Sequence, residues 1–251
     1  MAGAKTATRG SPAADGAGGK ASNGGRHRRP PRATGPVVTD RDLAILHWVG
    51  KHGVVTRDQV ANHFFARDNG KRGIWAAYRR VRILVEMELL REDRTFWRQA
   101  NVLRLTQKGA RFAEVDMRPA KLVLADLKHT LAVVDLLDGL LAKLPKNTVL
   151  LTEREIRTGR RRDMRHGGNS SGTGTGRIPD AELQVRGKRV AVELDLTPKR
   201  SRVYEDILLS YMDQQYDEVW WYVSPRVVPR LKQIVADNQA DDFVTVRPRE
   251  D

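Results

Sequence analysis

The uneven distribution of glycine and arginine constrains the fold most, because it leaves two segments unable to form part of a core. Residues 1–36 contain seven Lys/Arg, one acidic residue and eight glycines, which gives a net charge of +6. Residues from about 157 to 177 contain six arginines, one acidic residue and six glycines, which gives +5. Such segments bury too little apolar surface to offset the entropy lost on ordering. The composition therefore predicts a disordered basic tail at 1–36 and a flexible basic loop at 157–177.

The net charge of the chain indicates what it binds. With a charge of +14 and a pI near 10.4, the chain is expected to bind a polyanion, most directly nucleic acid. The two flexible segments carry +11 of this charge, so the folded body is only mildly basic. Flexible basic arms beside a folded body suit contacts with the backbone of double-stranded DNA. The alternative is that residues 1–36 only keep the protein in solution.

The residue types exclude several other classes of protein. The chain has no cysteine, which excludes disulfides, cysteine-ligated zinc and a thiolate nucleophile. No apolar run approaches the roughly 18 residues that span a membrane, and the polar N-terminus does not resemble a secretory signal. We therefore expect a cytoplasmic protein without membrane contact. The six histidines lack the His-x-His and His-Glu-x-x-His spacings of metal sites, and His129, in a leucine-rich helix, is expected to pack or cap.

Residues 37–117 predict a winged helix-turn-helix DNA-binding domain. The spacing of apolar residues predicts a helix capped by Asp40, a short helix capped by Thr56 and a third helix over about 73–90. A polar turn, a β-hairpin ending near residue 105 and a helix opened by Thr106 follow. We place the first strand of this hairpin at residues 96–97. Three helices followed by a hairpin are typical of a winged helix that binds DNA.

The third helix of this domain is the candidate recognition helix. Its apolar face consists of Ala77, Tyr78, Val81, Leu84, Val85 and Leu89. Its opposite face consists of Arg72, Trp75, Arg79 and Arg82, with Arg80 at the edge. Arginine side chains on such a face reach guanine edges or phosphates in the major groove. Further contacts with the DNA backbone are expected from three arginines of the basic loop, Arg160, Arg161 and Arg162. The alternatives are a solvated arginine face and a tryptophan packed at the helix–hairpin junction.

Residues 120–251 predict a second domain of mixed helices and strands. Apolar spacing predicts helices at about 121–144, 199–216 and 227–236. Strands are predicted at about 148–156, 178–185, 189–196, 219–223 and 243–246. The second and third strands form a hairpin through the turn at 186–188. The predicted order is therefore α-β-β-β-α-β-α-β.

Three carboxylates fall where this order brings them together. Glu193 and Asp195 lie two apart in one strand and share a face with Ala191, whereas residues 190, 192 and 194 point to the other face. The hairpin brings Asp180 close to the pair. Oxygen donors of this kind suit Mg²⁺ or Mn²⁺, so we predict a metal site that faces solvent or the ion, with Lys199 within reach. The alternative is an exposed strand face whose acids pair with nearby arginines, namely Arg189, Arg200 or Arg202.

The pattern Pro179-Asp180, Glu193-x-Asp195 and Lys199 on an αβββαβ order resembles the PD-(D/E)xK nuclease superfamily. A winged helix followed by Thr-Glu-Arg-Glu-Ile-Arg at 152–157, Pro-Asp at 179–180 and Val-Glu-Leu-Asp-Leu-Thr-Pro-Lys at 192–199 resembles the replication-relaxation proteins of actinobacterial plasmids and integrative elements. The resemblance covers about residues 40–225. It implies an α+β or α/β chain with an N-terminal winged helix-turn-helix and a PD-(D/E)xK-like domain.

The resemblance leaves two functions open. In active nucleases of the superfamily, an aspartate and a glutamate hold the metal, and a lysine two residues after the glutamate helps to position the attacking water. Here position 195 is Asp, and Lys199 would supply the positive charge. The first function is a Mg²⁺- or Mn²⁺-dependent endonuclease or nickase of a mobile element, whose catalytic residues would be Asp180, Glu193, Asp195 and Lys199. The second is a non-catalytic, sequence-specific DNA-binding regulator or accessory protein that uses a degenerate nuclease fold for DNA contact or dimerisation. Its partners would be a second copy of the chain or other replication and transfer proteins of the element.

Overall fold

The structure describes the chain in four stretches. In the computed structural model these stretches are residues 37–65, 71–96, 99–165 and 176–249. The predicted disorder of residues 1–36 lies outside the described residues, and so does part of the predicted basic loop, residues 166–175. Among the helices of the described stretches, none has both the length and the apolar character that crossing a membrane requires.

The first part of the chain combines helices with a small antiparallel sheet. Its elements in chain order are α1 (Asp40–His52), β1 (Val55–Thr56), α2 (Arg57–Phe65), α3 (Lys71–Glu86), β2 (Leu90–Asp93), β3 (Val102–Leu105) and α4 (Gln107–Phe112). Strand β3 lies between β1 and β2 and pairs antiparallel with both. The helices and the sheet share one apolar core, in which Ile45, Val81 and Leu103 are fully buried. This burial stabilises helices that are too short to be stable alone.

Side-chain caps determine where α1 and α2 begin. Oδ2 of Asp42 accepts the backbone N–H of Thr39 at 2.6 Å, and Oγ1 of Thr39 accepts the N–H of Asp42 at 3.4 Å. Thr56 and Gln59 form the same reciprocal pair at 3.0 and 3.1 Å. Both pairs follow the capping-box pattern. The predicted cap at Asp40 is therefore wrong by one residue, because Thr39 has the extended backbone that places its oxygen over the first turn.

The second part of the chain is built around a five-stranded sheet. Its elements are α5 (Leu127–Lys143), β4 (Val149–Thr152), α6 (Glu153–Arg165), β5 (Ala181–Val185), β6 (Lys188–Asp195), α7 (Ser201–Asp213), β7 (Glu218–Val223), α8 (Val228–Asp237) and β8 (Val244–Pro248). The strand order is β4-β5-β6-β7-β8. Strands β4, β5 and β6 pair antiparallel, whereas β6, β7 and β8 run parallel. The parallel pairs are possible because α7 and α8 provide the crossovers.

Helices cover both faces of this sheet. Helix α5 packs on one face, where Leu137 belongs to the same apolar cluster as Val190 and Val192. Helices α7 and α8 pack on the other face, in a cluster that contains Ala191 and Trp221. The alternation predicted for β6 is therefore confirmed. Strand β7 is apolar along most of its length because both of its faces are covered.

The strand predicted at 148–156 is shorter than expected and is followed by a helix that the sequence analysis missed. Strand β4 ends at Thr152 and α6 starts at the next residue. Glu155 accepts the backbone N–H of Thr152 at 2.9 Å, and Oγ1 of Thr152 accepts the N–H of Glu155 at 3.4 Å, which is again a capping box. The predicted flexible loop is therefore wrong over residues 157–165. Arginine is a good helix former, so a run of arginines after a cap favours a helix over a loop.

The hairpin of the first part uses a different first strand from the predicted one. That strand is β2, at Leu90–Asp93. Of the predicted residues 96–97, Phe96 is in no strand and Trp97 lies outside the described residues. Leu90 is buried opposite Leu105, and Nε of Arg104 donates to Asp93 at 2.8 Å. Because of these two pairings, residues 92–93, which were predicted to form a polar turn, belong to the sheet. The connection between the strands therefore spans residues 94–101.

The two sheets and their helices make this chain a mixed α+β protein. Residues Val37–Asp251 form one compact unit, and hydrogen bonds join its two parts. Oγ1 of Thr152 donates to the carbonyl of Lys51 at 3.0 Å, and Nε2 of Gln59 donates to the carbonyl of Leu131 at 2.8 Å. The predicted domain boundary between residues 117 and 120 stays a prediction.

Candidate functional site

Helix α3 presents a basic face to solvent. The exposed residues of this face are Arg72, Trp75, Arg79 and Arg82. The buried residues of the opposite face include Ala77, Val81 and Leu84. The side chain of Trp75 is 68% exposed, so it does not pack in the core as the alternative interpretation required. Arg82 lies 3.5 Å from Glu86, but exposed pairs of this kind contribute only about 0.3–0.5 kcal/mol and leave the arginine available.

Arg80 differs from the other arginines of α3 because it points back into the protein. Its Nε donates to Oδ1 of Asp42 at 2.5 Å, and its Nη2 donates to the carbonyl of Val37 at 2.7 Å. Asp42 is fully buried. The structure therefore places Arg80 in an ion pair between α3 and α1, whereas its neighbours Arg79 and Arg82 face solvent.

The three arginines predicted in the basic loop lie on α6 instead. Arg160 donates to the carbonyl of Gly176 at 2.6 Å and to the side chain of Gln214 at 2.5 Å. Arg162 forms an ion pair with Asp116. Arg161 is exposed. These side chains therefore point in different directions around the helix, and two of the three are held by contacts within the protein.

The predicted carboxylates and lysine line one pocket. Asp180 lies directly before β5, the next two acids lie at the end of β6, and Lys199 lies two residues before the start of α7. The pocket has a volume of about 350 Å³, and its charged lining residues are Lys128, His129, Arg177, Asp180, Glu193, Asp195 and Lys199. Asp180 is held against β6 because its Oδ2 accepts the backbone N–H of Leu194 at 2.8 Å. The hairpin geometry thus brings together all four residues that the sequence selected.

Each carboxylate of this pocket has a basic partner. The pairs are Arg177 with Glu193, Lys199 with Asp195 and His129 with Asp180. The nitrogen–oxygen distance is 3.3 Å in the first pair and 3.4 Å in the last. Arg189, one of the partners expected in the alternative interpretation, pairs with Glu182 at 2.9 Å instead.

Glu193 and Asp195 are buried, so the expectation that they face solvent is wrong, and the expectation that they face a metal stays a prediction. Their exposed fractions are 2% and 5%. Helix α7 and strand β7 supply further donors on this face: Tyr211 donates to Glu193, and Nε1 of Trp221 donates to Asp195 at 2.9 Å. The period-two pattern placed both acids on one face correctly, but it did not reveal that a helix covers that face.

The surroundings shift the pKa values of the pocket groups. Burial, and then the charge of Asp180, raise the pKa of Glu193 to about 7. The hydrogen bond to Asp180 raises the pKa of His129 to about 9, against the opposing effect of burial. Burial lowers the pKa of Lys199. The surroundings therefore disfavour the charged form of Glu193 and favour the charged form of His129.

The arrangement of these residues does not fit a bound metal ion. Carboxylate oxygens suit Mg²⁺ or Mn²⁺ chemically. In the described stretches, however, no group of three or more His, Asp or Glu side chains is placed so that it could hold an ion. The basic partners of the carboxylates would also repel a divalent cation. Binding of Mg²⁺ or Mn²⁺ stays a prediction that this arrangement does not favour.

A sequence match decides which proteins this chain is related to. The family model described as replication-relaxation matches residues 46–221. The chain belongs to the replication-relaxation family. The match covers more than half of the 251 residues and confirms the resemblance seen in the sequence. No curated protein and no solved structure matches the chain. For this replication-relaxation protein, the matched range contains both α3 and the carboxylate pocket, and the family supports a role in the replication of mobile elements.

Sequence reasoning missed three side chains of this replication-relaxation protein that contact the carboxylates of the pocket. His129 was expected to pack or cap, but its Nε2 lies 2.9 Å from the carbonyl oxygen of Leu194. Arg177 was assigned only to the basic loop. Tyr211 is fully buried, and its hydroxyl donates to Glu193. The helical spacing of α7 hints that Tyr211 faces the sheet. No local pattern could have linked the three side chains to the carboxylates, because these residues lie far apart in the sequence.

Proposed function

We propose that this protein binds double-stranded DNA through α3 during the replication or transfer of a mobile element. The exposed arginine face of α3 carries this proposal. The major groove admits one α-helix, and arginine binds the O6 and N7 atoms of guanine with two hydrogen bonds. Trp75 stands among these arginines and offers an exposed ring for contact with sugar or base. Membership of the replication-relaxation family supports the replication context.

The order of elements in the first part supports a winged helix-turn-helix. Helices α1, α2 and α3 precede the β2–β3 hairpin, which is the order expected when the third helix enters the groove and the hairpin lies beside it. The ion pair between Arg80 and Asp42 fixes the rotation of α3 about its axis. Arg79 and Arg82 are thereby directed away from the core, where a DNA duplex can reach them.

The net charge of the chain supports contacts beyond α3. Each Lys or Arg that neutralises a phosphate releases counterions, and this release supplies affinity for any DNA sequence. Residues 1–36 carry a net charge of +6, and Arg161 is exposed on α6. We assign these groups to backbone contacts, which increase affinity without reading sequence.

The second part supports a nuclease-like body with a non-catalytic role. Its strand order and the convergence of Asp180, Glu193, Asp195 and Lys199 agree with a PD-(D/E)xK-type fold. Its chemistry favours the accessory role, because basic side chains of the chain itself already pair with the carboxylates. We therefore propose that this body serves DNA contact or dimerisation rather than cleavage.

Binding and cleavage assays with the full chain separate the two roles. We expect the protein to retard double-stranded DNA and to leave supercoiled plasmid unnicked with Mg²⁺ or Mn²⁺. Metal-dependent nicking that Asp180→Asn abolishes would assign the endonuclease or nickase role instead. Failure to bind any duplex at low salt would contradict the proposal itself.

A further inference from the structure

His129, Asp180 and Leu194 form a closed set of contacts where α5 meets β5 and β6. Oδ2 of Asp180 accepts the N–H of Leu194 at 2.8 Å. Nε2 of His129 lies 2.9 Å from the carbonyl oxygen of Leu194 and 3.4 Å from the same Oδ2 of Asp180. A carbonyl oxygen only accepts hydrogen bonds, so Nε2 of His129 carries a hydrogen and is the donor. In this arrangement that nitrogen has no lone pair with which to bind a metal.

The other two carboxylates of the pocket are satisfied at both oxygens. Nε and Nη2 of Arg177 lie 3.3 and 3.4 Å from the two oxygens of Glu193. Lys199 pairs with Oδ1 of Asp195, and Trp221 donates to Oδ2 of Asp195 at 2.9 Å. A two-pronged arginine contact is among the stronger pairings available to a carboxylate. The acids of the pocket therefore already have the donors that a buried charge requires.

We infer that this chain fills its carboxylate pocket with its own donors in the place of a divalent ion, so that the pocket keeps its arrangement without metal. The three donors are His129, Arg177 and Lys199. Glu193 and Asp195 are buried, and removing the partner of a buried charge leaves that charge unsatisfied, which costs far more than the pair contributes as a whole. Asp180 is partly buried, so the loss of His129 should cost less. Each donor is therefore needed as long as its acid is present. This inference concerns the second part of the chain only, and it holds or fails independently of DNA binding by α3.

The direct test is a calorimetric titration of the full wild-type chain with MnCl₂, together with thermal unfolding in EDTA and in Mn²⁺. We expect no Mn²⁺ binding that depends on Asp180 or Glu193, and the same melting temperature in EDTA and in Mn²⁺. Stoichiometric Mn²⁺ binding that Asp180→Asn abolishes would overturn the inference. If Mn²⁺ binds equally well to the Asp180→Asn and Glu193→Gln variants, the ion binds elsewhere on the chain, and this outcome agrees with the inference.

A pair of variants at residue 129 tests the donor role separately. His129→Ala removes the donor, and we expect it to lower the melting temperature by roughly 3–6 °C. His129→Gln keeps an N–H group at the end of the side chain, and we expect it to lose less than half of that amount. The donor role of His129 is contradicted if His129→Ala has the melting temperature of the wild type. It is also contradicted if His129→Gln lowers the melting temperature as much as His129→Ala does. If neither variant folds, the wild-type titration with Mn²⁺ still decides the inference.

Discussion

Arg80 of α3 is paired with Asp42 of α1, and the carboxylate of this pair has no exposure to solvent. Burial would raise the pKa of Asp42, but hydrogen bonds from Arg80 and Thr39 lower it below its ordinary value. The acid also caps α1 through the backbone of Thr39. One buried carboxylate therefore holds the start of α1 and the rotation of α3 together, and the exposed arginine face depends on it.

Replacement of Arg80 by alanine should destabilise the fold strongly. It leaves Asp42 buried without its cation, and breaking a buried pair in this way costs about 3 kcal/mol or more in the free energy of unfolding. Arg79→Ala is the matched control, because it removes an exposed neighbour and should change that free energy by less than about 0.5 kcal/mol. Urea unfolding followed by circular dichroism measures both. Equal stability of the two variants would show that the ion pair does not hold α3 in place.

Affinity for double-stranded DNA should fall steeply as salt increases. The logarithm of the affinity falls linearly with the logarithm of the salt concentration, and each phosphate that the protein neutralises makes this slope steeper by about 0.9. Deletion of residues 1–36 removes seven basic residues, so it should weaken binding to all sequences alike and make the slope shallower. Fluorescence anisotropy over a range of NaCl concentrations measures this slope. If the truncated chain shows the same slope as the full-length chain, residues 1–36 do not contact the DNA.

His52 should make the protein less stable as the pH falls below neutral. It is buried beside Trp48, with ring centroids 4.8 Å apart, and burial lowers its pKa to about 4. An unfolded histidine titrates near pH 6.5, so between pH 6.5 and pH 4 the unfolded chain binds the proton and the folded chain does not. From this residue alone, the free energy of unfolding should fall by about 2 kcal/mol by pH 5.

The variant His52→Gln isolates this effect from the other groups that titrate in the same range. We expect the difference in unfolding free energy between wild type and variant to shrink by about 2 kcal/mol between pH 7 and pH 5. Denaturant unfolding at both pH values measures it. A difference that stays constant with pH would mean that His52 binds a proton in the folded state.

Local patterns in the sequence predicted the elements that depend on local physics. Alternation placed Glu193 and Asp195 on one face of β6, and helical spacing separated the two faces of α3. A capping box also lay at Thr152 and Glu155, but the six arginines and six glycines after it were interpreted as a loop. Composition outweighed the cap in that interpretation, although the cap was the better guide to the start of a helix.

Contacts between distant parts of the chain were beyond the reach of such patterns. The burial of Glu193 depends on Tyr211 of α7, and the hydrogen on His129 depends on the carbonyl of Leu194, 65 residues away. Likewise, β2 starts at Leu90 because that residue pairs with Leu105 across the sheet. These pairings follow from tertiary packing, which overrides local propensity wherever apolar surface is buried.

The affinity of the full chain for double-stranded DNA, with Arg79 and Arg82 both replaced by alanine, tests the central claim most directly. We predict a loss of about 1–3 kcal/mol for each arginine that reaches a base edge, and a larger loss on the specific sequence than on random DNA. The matched control is Arg202→Ala with Arg226→Ala, which removes the same charge from exposed positions of the second part. Any DNA contact there is with the backbone, so this control should lose no more affinity on the specific sequence than on random DNA. Equal losses in the two double variants, or no loss in the first, would contradict DNA binding through α3.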